Sequence, residues 1–101
     1  MANYSISEEA IRDLDEISDY FARQSIDAGE GFVKLFTQKC RSLVNFPYMG
    51  RSYREIFPNL RGLPLDGYII LYQLVKEDIE IVRVVSGYRD LESLFSDDED
   101  N

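Results

Sequence analysis

The chain has 101 residues, of which 45% are hydrophobic and 13% aromatic, which is enough apolar material for one folded domain with a core. A single cysteine and the absence of histidine exclude an internal disulfide, a cysteine-rich secreted scaffold and any catalytic site that uses histidine as its base. A zinc site would need several carboxylate ligands, so we expect no metal and no other cofactor. No apolar run approaches the roughly 18 residues of a membrane span.

The net charge of −8 argues against non-specific binding to nucleic acid, but the charge is unevenly distributed. Residues 1–30 carry eight acids and two bases, residues 34–61 carry six bases and one acid, and residues 97–100 read Asp-Asp-Glu-Asp. A basic surface on the middle third is one interpretation, and a solvated surface that segregates charge is the other. The N-terminus lacks the basic and apolar regions of a signal peptide, so we expect a cytoplasmic location.

The first half of the chain predicts a short strand followed by a helical hairpin. Tyr4 and Ile6 alternate with polar neighbours, which indicates a strand. Apolar residues at spacings of three and four then predict helices over about 8–24 and 29–46, separated by a glycine-containing loop. The second apolar stripe contains Phe32, Leu35, Phe36, Cys40, Leu43, Val44 and Phe46. We interpret Cys40 as a small core residue, because no histidine is present to activate it.

After Pro47 the apolar period changes from 3.6 to 2, which predicts strands. The predicted strands lie at 60–63, 68–75 and 79–85. Asp66-Gly67 is a strong hairpin signal, and short turns between the strands favour an antiparallel meander. Residues 90–95 predict a short helix that begins at an aspartate.

The order of these elements predicts an α+β fold with two layers. We expect an antiparallel sheet of three to four strands, with the N-terminal helical hairpin packed on one face and a short C-terminal helix. The first strand is expected to join the edge of the sheet. Residues 1–96 are predicted to form a single domain, and residues 97–101 an acidic disordered tail.

Several motifs, in the right order, resemble ParE-type toxins of the RelE/ParE superfamily. They are Ser7–Tyr20, Phe46–Arg51, Leu60–Pro64, Tyr68–Tyr72, Ile79–Val84 and Gly87–Leu91. The resemblance covers about residues 3–95. It implies the toxin of a type II toxin–antitoxin module, often called a plasmid stabilization protein, which is neutralised by a cognate antitoxin. A homodimer and a toxin–antitoxin hetero-oligomer are both compatible with this resemblance.

The superfamily contains two functional branches. ParE-like members inhibit DNA gyrase without a hydrolytic site, whereas RelE-like members are ribosome-dependent mRNA endonucleases with basic residues on central strands and a C-terminal tyrosine. In this chain, Phe57, Asn59 and Ile69 occupy positions that are basic in the RelE-like members. Phe95 occupies the position of the C-terminal tyrosine. The resemblance therefore implies a ParE-like inhibitor of DNA gyrase. The alternatives are an mRNA endonuclease and an inactive toxin homologue.

Candidate site residues follow from each interpretation. For target binding they are Tyr48, Arg51, Arg54, Tyr88 and Arg89, since tyrosine and arginine are enriched at interface hot spots. For a nuclease they are Arg61, Arg83, Tyr88 and Arg89. Arg61 and Arg83 could instead each pair with a helix carboxylate such as Glu16 or Asp19. We expect no membrane association and no direct, specific binding to nucleic acid.

Overall fold

The computed structural model describes residues 2–87 together with Leu91 and Leu94. The elements in chain order are β1 (Tyr4–Ile6), α1 (Glu8–Ala22), α2 (Ile26–Asn45), β2 (Arg51–Ser52), β3 (Leu60–Leu65), β4 (Tyr68–Val75) and β5 (Asp78–Ser86). The strands form one sheet in the order β1-β5-β4-β3-β2, and both helices pack against one of its faces. The predicted α+β fold is therefore confirmed, with five strands among the described residues rather than three to four.

The sheet is mixed rather than wholly antiparallel. β1 does join an edge, as expected, but it runs parallel to β5, with Tyr4 opposite Ile79. A parallel pair requires a long crossover, and the chain between β1 and β5 contains the whole helical hairpin. The additional strand, β2, has only two residues, which is too short for an alternating pattern to be visible in the sequence.

The second helix begins earlier than its apolar stripe predicts. The hydroxyl of Ser25 accepts a hydrogen bond from the amide of Ala28 at 2.9 Å and caps the first turn. Gly29 lies inside α2, where a Cβ atom would come within 3.1 Å of both the Ser18 carbonyl oxygen and the Ala22 Cβ atom. This glycine therefore allows the two helices to approach closely and does not mark a loop.

The hairpin signal between β3 and β4 is confirmed. Asp66 and Gly67 both have positive φ angles, 50° and 85°, as a tight two-residue hairpin turn requires. β3 also continues through Pro64, where the sequence predicted an interruption. The two residues of β2 pair only with Arg61 and Gly62, so Pro64 lies on an edge that needs no further N–H donor.

The sheet has a hydrophobic cluster on each face. The larger one lies under the helices and includes Phe32, Phe36, Cys40, Leu43, Ile70, Tyr72 and Ile81. The second contains Leu60, Leu71 and Val85, with Tyr53, Ile56, Ile69, Leu91 and Leu94 packed against it. Leu91 and Leu94 are the described part of the predicted C-terminal helix. Residues 97–101, the predicted tail, lie outside the described residues.

Candidate functional site

The segment between α2 and β2, residues 46–50, is held by a buried tyrosine of the central strand. The hydroxyl of Tyr72 donates a hydrogen bond to the Pro47 carbonyl oxygen at 2.8 Å and accepts one from the Gly50 amide at 3.0 Å. Tyr72 itself is fully buried. Gly50 has no room for a side chain, because a Cβ atom would lie 2.6 Å from that hydroxyl. The segment, called the 46–50 loop below, is therefore fixed to the sheet.

Arg61 on β3 fixes the same loop from its other side. Its Nε donates to the Gly50 carbonyl oxygen at 3.0 Å, and its Nη2 donates to the Tyr48 carbonyl oxygen at 3.1 Å. The guanidinium also lies 5.3 Å from the centre of the Tyr48 ring, within cation–π range. The expected pairing of Arg61 with a helix carboxylate is wrong, since backbone carbonyls of the loop take that place.

The loop presents three large apolar side chains to solvent. Phe46, Tyr48 and Met49 are 66%, 70% and 47% exposed, respectively. They line a shallow pocket of about 440 Å³. We call these three side chains the loop surface. The sequence placed Phe46 on the buried stripe of α2, but the helix ends at Asn45, so Phe46 leaves the helical period and turns outward.

Two arginines lie beside the loop, on β2 and just after it. The Arg51 guanidinium stacks 4.4 Å from the centre of the Tyr53 ring and lies 3.7 Å from a Glu55 carboxylate oxygen. Both charged side chains are more than half exposed, so this pair is weak. Arg54 is exposed as well. We call Arg51 and Arg54 the arginine surface. The structure thus brings Tyr48, Arg51 and Arg54 to neighbouring positions of one segment.

Arg83 on β5 has a different environment. Its Nε and Nη2 donate to the two carboxylate oxygens of Asp13 on α1 at 2.8 and 3.0 Å, and the Val84 amide donates to the same carboxylate at 2.9 Å. The hydrogen bond that Arg83 donates to Asp13 raises the pKa of Arg83, against the opposing effect of burial. Arg83 therefore pairs with a helix carboxylate, as one interpretation held, but with Asp13 instead of Glu16 or Asp19.

Two further groups bear on the chemistry of the chain. Cys40 is fully buried under the helices, and burial raises the pKa of its thiol to about 12, so the prediction of a core residue is confirmed. Within residues 2–87, Leu91 and Leu94, no group of three or more potential ligands could hold a metal ion. No helix in the described part of the chain is long and apolar enough to cross a membrane.

Comparison with known families identifies this architecture. Residues 4–91 match the family model described as the ParE toxin of the type II toxin–antitoxin system, parDE. The chain belongs to the ParE toxin family. A solved structure described as the chromosomal ParDE TA system from P. aeruginosa is similar in fold, with a TM-score of 0.69 and 22% sequence identity. The similarity covers 85% of this chain and 95% of that one. Comparison with curated protein sequences finds no match.

Membership of the ParE family makes the chain the toxin of a type II module, with an antitoxin as its partner. Arg61 and Arg83 are two of the nuclease candidates, and both bind groups of this ParE-family chain itself. Arg61 donates to loop carbonyls and Arg83 to the Asp13 carboxylate. Phe57 and Asn59, compared above with basic strand positions, lie in the turn before β3 and not on a strand. Tyr88 and Arg89 lie outside the described residues.

Sequence reasoning missed three residues of this ParE-family site. Phe46 and Met49 belong to the loop surface, and their position directly around Pro47, after the helical stripe ends, was the available signal. Asp13 is one of the eight acids of residues 1–30, yet its side chain is only 13% exposed. Nothing in the spacing of the α1 acids distinguishes Asp13, because the contact with β5 depends on how the helix crosses the sheet.

Proposed function

We propose that this toxin inhibits DNA gyrase in the cytoplasm by binding it through the loop surface and the arginine surface. The observation that carries the proposal is the rigid presentation of exposed aromatic and arginine side chains on one short segment. Tyr72 and Arg61 take up four backbone polar groups of that segment, which leaves its side chains outside. Tyrosine and arginine in such a setting are typical anchors of protein interfaces.

These residues are better suited to binding a protein target than to cleaving RNA. Cleavage at a 2′-hydroxyl needs cations to stabilise the phosphorane and a proton carrier. Arg61 already donates to loop carbonyls and Arg83 to a carboxylate, so neither guanidinium could reach a phosphate without losing bonds that support the fold. A net charge of −8 also disfavours docking on ribosomal RNA.

The antitoxin has a separate candidate surface on the helical layer. A groove of about 470 Å³ lies between α1 and α2, and its apolar floor includes Ala22, Ile26 and Val33. Ile26 and Val33 are 73% and 47% exposed, so the groove offers contiguous apolar surface to a partner. Asp19 and Lys34 line the same groove from opposite helices. We infer that an amphipathic antitoxin helix binds there and forms a hetero-oligomer with the toxin.

The stretches of β3 and β5 that β2 and β1 leave uncovered disfavour the addition of an antitoxin strand there. The outer edge of β3 beyond β2 carries Pro64, which has no N–H to donate. Beyond β1, the Ser7 hydroxyl donates to the Val82 carbonyl oxygen at 2.8 Å, and Asp13 accepts from the Val84 amide. Side chains of the chain itself thus occupy the positions that an added strand would need on β5.

The proposed activity is tested with purified DNA gyrase and, separately, with translating ribosomes. We expect the toxin to inhibit supercoiling and Tyr48→Ala to weaken that inhibition by about 30-fold, the equivalent of ~2 kcal/mol for a hot-spot residue. Tyr20→Ala is the matched control, because Tyr20 is 53% exposed but lies on α1. Ribosome-dependent mRNA cuts with unchanged supercoiling would instead identify a nuclease. Neither effect, in a folded protein, would identify an inactive homologue.

A further inference from the structure

Gly62 leaves an open position on β3 that an aromatic ring fills. Gly62 lies directly opposite Arg51 in the register of β2 and β3, so the two residues share one face of the sheet. A Cβ atom on Gly62 would lie 2.6 Å from the Tyr53 Cε2 atom and 2.9 Å from the Ile69 Cγ2 atom. Both of those side chains pack against the cluster on the sheet face opposite the helices. The Tyr53 ring therefore occupies the space that a side chain at position 62 would need.

The backbone of Tyr53 is fixed as well as its ring. Its amide donates to the Leu60 carbonyl oxygen at 2.8 Å. Its own carbonyl oxygen accepts from the amides of Ile56 and Phe57 at 2.9 and 3.2 Å. Three backbone hydrogen bonds and the seat on Gly62 thus hold Tyr53, so its ring forms a rigid platform near the edge of the sheet.

This platform holds one arginine of the arginine surface and not the other. The Arg51 guanidinium lies over the Tyr53 ring, 4.4 Å from its centre. The pair with Glu55 restrains Arg51 less, because it spans 3.7 Å between two exposed side chains. In the part of the chain that the structure describes, the Arg54 guanidinium stacks on no ring and forms no ion pair. Arg51 is therefore already oriented, whereas Arg54 must still be ordered by a partner.

We propose that Gly62 and Tyr53 position the Arg51 guanidinium, and that this makes Arg51 rather than Arg54 the arginine on which target binding depends. Ordering a long, flexible side chain at an interface lowers affinity by up to about tenfold. Arg51 is stacked before a target arrives, so its binding does not carry that loss. Gly62 acts through the ring and touches no target, which makes it a positioning residue. That a target binds here rests on the proposed function, whereas the positioning does not.

Side-chain NMR measures the positioning without any target. Protons above an aromatic ring resonate upfield, so the Nε–H and δ-methylene resonances of Arg51 should lie upfield of those of Arg54. Gly62→Ala should remove this shift, because the new Cβ atom displaces the ring. Gly62 does not have a positive φ angle, so the backbone itself accepts alanine. Gly31→Ala is the matched control and should retain the shift, since a Cβ atom there meets open space among the described residues.

Substitutions of Tyr53 and Glu55 separate the ring from other restraints on Arg51. Tyr53→Phe keeps the ring and should retain the upfield shift, whereas Tyr53→Leu should lose it even if Gly62→Ala proves too unstable to measure. Glu55→Gln should also retain the shift. A shift that survives Tyr53→Leu, or that survives Gly62→Ala in a folded protein, would overturn the positioning. Loss of the shift in Glu55→Gln would assign the orientation of Arg51 to the ion pair instead.

Binding to purified DNA gyrase tests the ranking of the two arginines. We expect R51Q to weaken binding by at least about tenfold and R54Q by less than about threefold. In the Gly62→Ala background, R51Q should weaken binding by less than about threefold, because Arg51 has already lost its orientation. Equal losses from R51Q and R54Q, or an undiminished effect of R51Q in that background, would overturn the proposal.

The same measurements distinguish positioning from a purely structural role of Gly62. A structural role would make Gly62→Ala weaken binding by the same factor whether or not Arg51 is present, with a matching loss in urea denaturation. Failure of the wild-type chain to bind gyrase would refute the proposed target and with it the ranking of the arginines. The positioning would then stand or fall on the NMR shift alone.

Discussion

Tyr72→Phe is the sharpest perturbation of the 46–50 loop, because it removes a single oxygen atom. That oxygen donates to the Pro47 carbonyl at 2.8 Å and accepts from the Gly50 amide at 3.0 Å, in a fully buried residue. Each lost hydrogen bond costs about 1 kcal/mol, and the buried Gly50 amide left without an acceptor adds about 1 kcal/mol more. We expect the free energy of unfolding to fall by about 3 kcal/mol, which lowers Tm by roughly 12 °C or more for a domain of this size.

Urea denaturation measures this loss, with Tyr68→Phe as the matched control on the same strand. Tyr68 keeps its edge-on ring contacts with Phe21 and Phe32 when the hydroxyl is removed, and among the described residues that hydroxyl has no hydrogen-bond partner. The control should change stability by less than ~0.5 kcal/mol. Amide exchange at Gly50 should accelerate in Tyr72→Phe alone. Equal unfolding midpoints for the two variants would refute the role assigned to the Tyr72 hydroxyl.

Three further predictions concern the core, the β5 edge and the helical groove. Asp13→Ala should lower the free energy of unfolding by about 2 kcal/mol, because it leaves the partly buried Arg83 guanidinium and the Val84 amide without their shared acceptor, whereas Asp15→Ala on the exposed face should change it little. Urea denaturation compares the two variants. Folding raises the pKa of Cys40 from 9.0 to about 12, because burial favours the neutral thiol. The stabilisation that this shift represents is fully present below pH 9, where the thiol is neutral in both the folded and the unfolded chain. Between pH 9 and about 12 the wild type should lose about 1.4 kcal/mol per pH unit relative to Cys40→Ala, and parallel pH profiles would contradict this. Ile26→Asp should weaken antitoxin binding by at least about tenfold, measured by calorimetry, with wild-type affinity as the contrary result.

The sequence alone was informative wherever a local pattern controls the structure. The 3.6-residue stripe of α2 identified its buried face, and the change of period after Pro47 identified the strands. Asp66-Gly67 predicted its hairpin, because positive φ angles at both positions are a property of those residues and not of their surroundings. The order of the motifs was enough to indicate the ParE family, which the family model confirms over residues 4–91.

The tertiary structure decided which polar side chains meet. The pairing register of β4 with β5 shifts between Leu71 and Tyr72. Leu71 lies opposite Arg83 and Tyr72 opposite Ile81, so one residue of β5 has no partner on β4 at this point. Such a bulge reverses the alternation of faces along a strand and cannot be read from the alternation itself. Asp13 reaches Arg83 and Val84 only because β1 stops after three residues and leaves that edge of β5 open.

The loop surface was decided in the same way. In the sequence, nothing distinguishes Tyr72 from the other aromatic residues of the strands, or Arg61 from the other cations. Their partners are backbone groups at Pro47, Tyr48 and Gly50, from 11 to 25 residues away along the chain. Composition and spacing determined the core and the turns of this protein, and the resemblance of its ordered motifs indicated the family. The packing of distant segments determined which side chains remain exposed for a partner, because a hydrogen bond between distant residues leaves no periodic trace in the sequence.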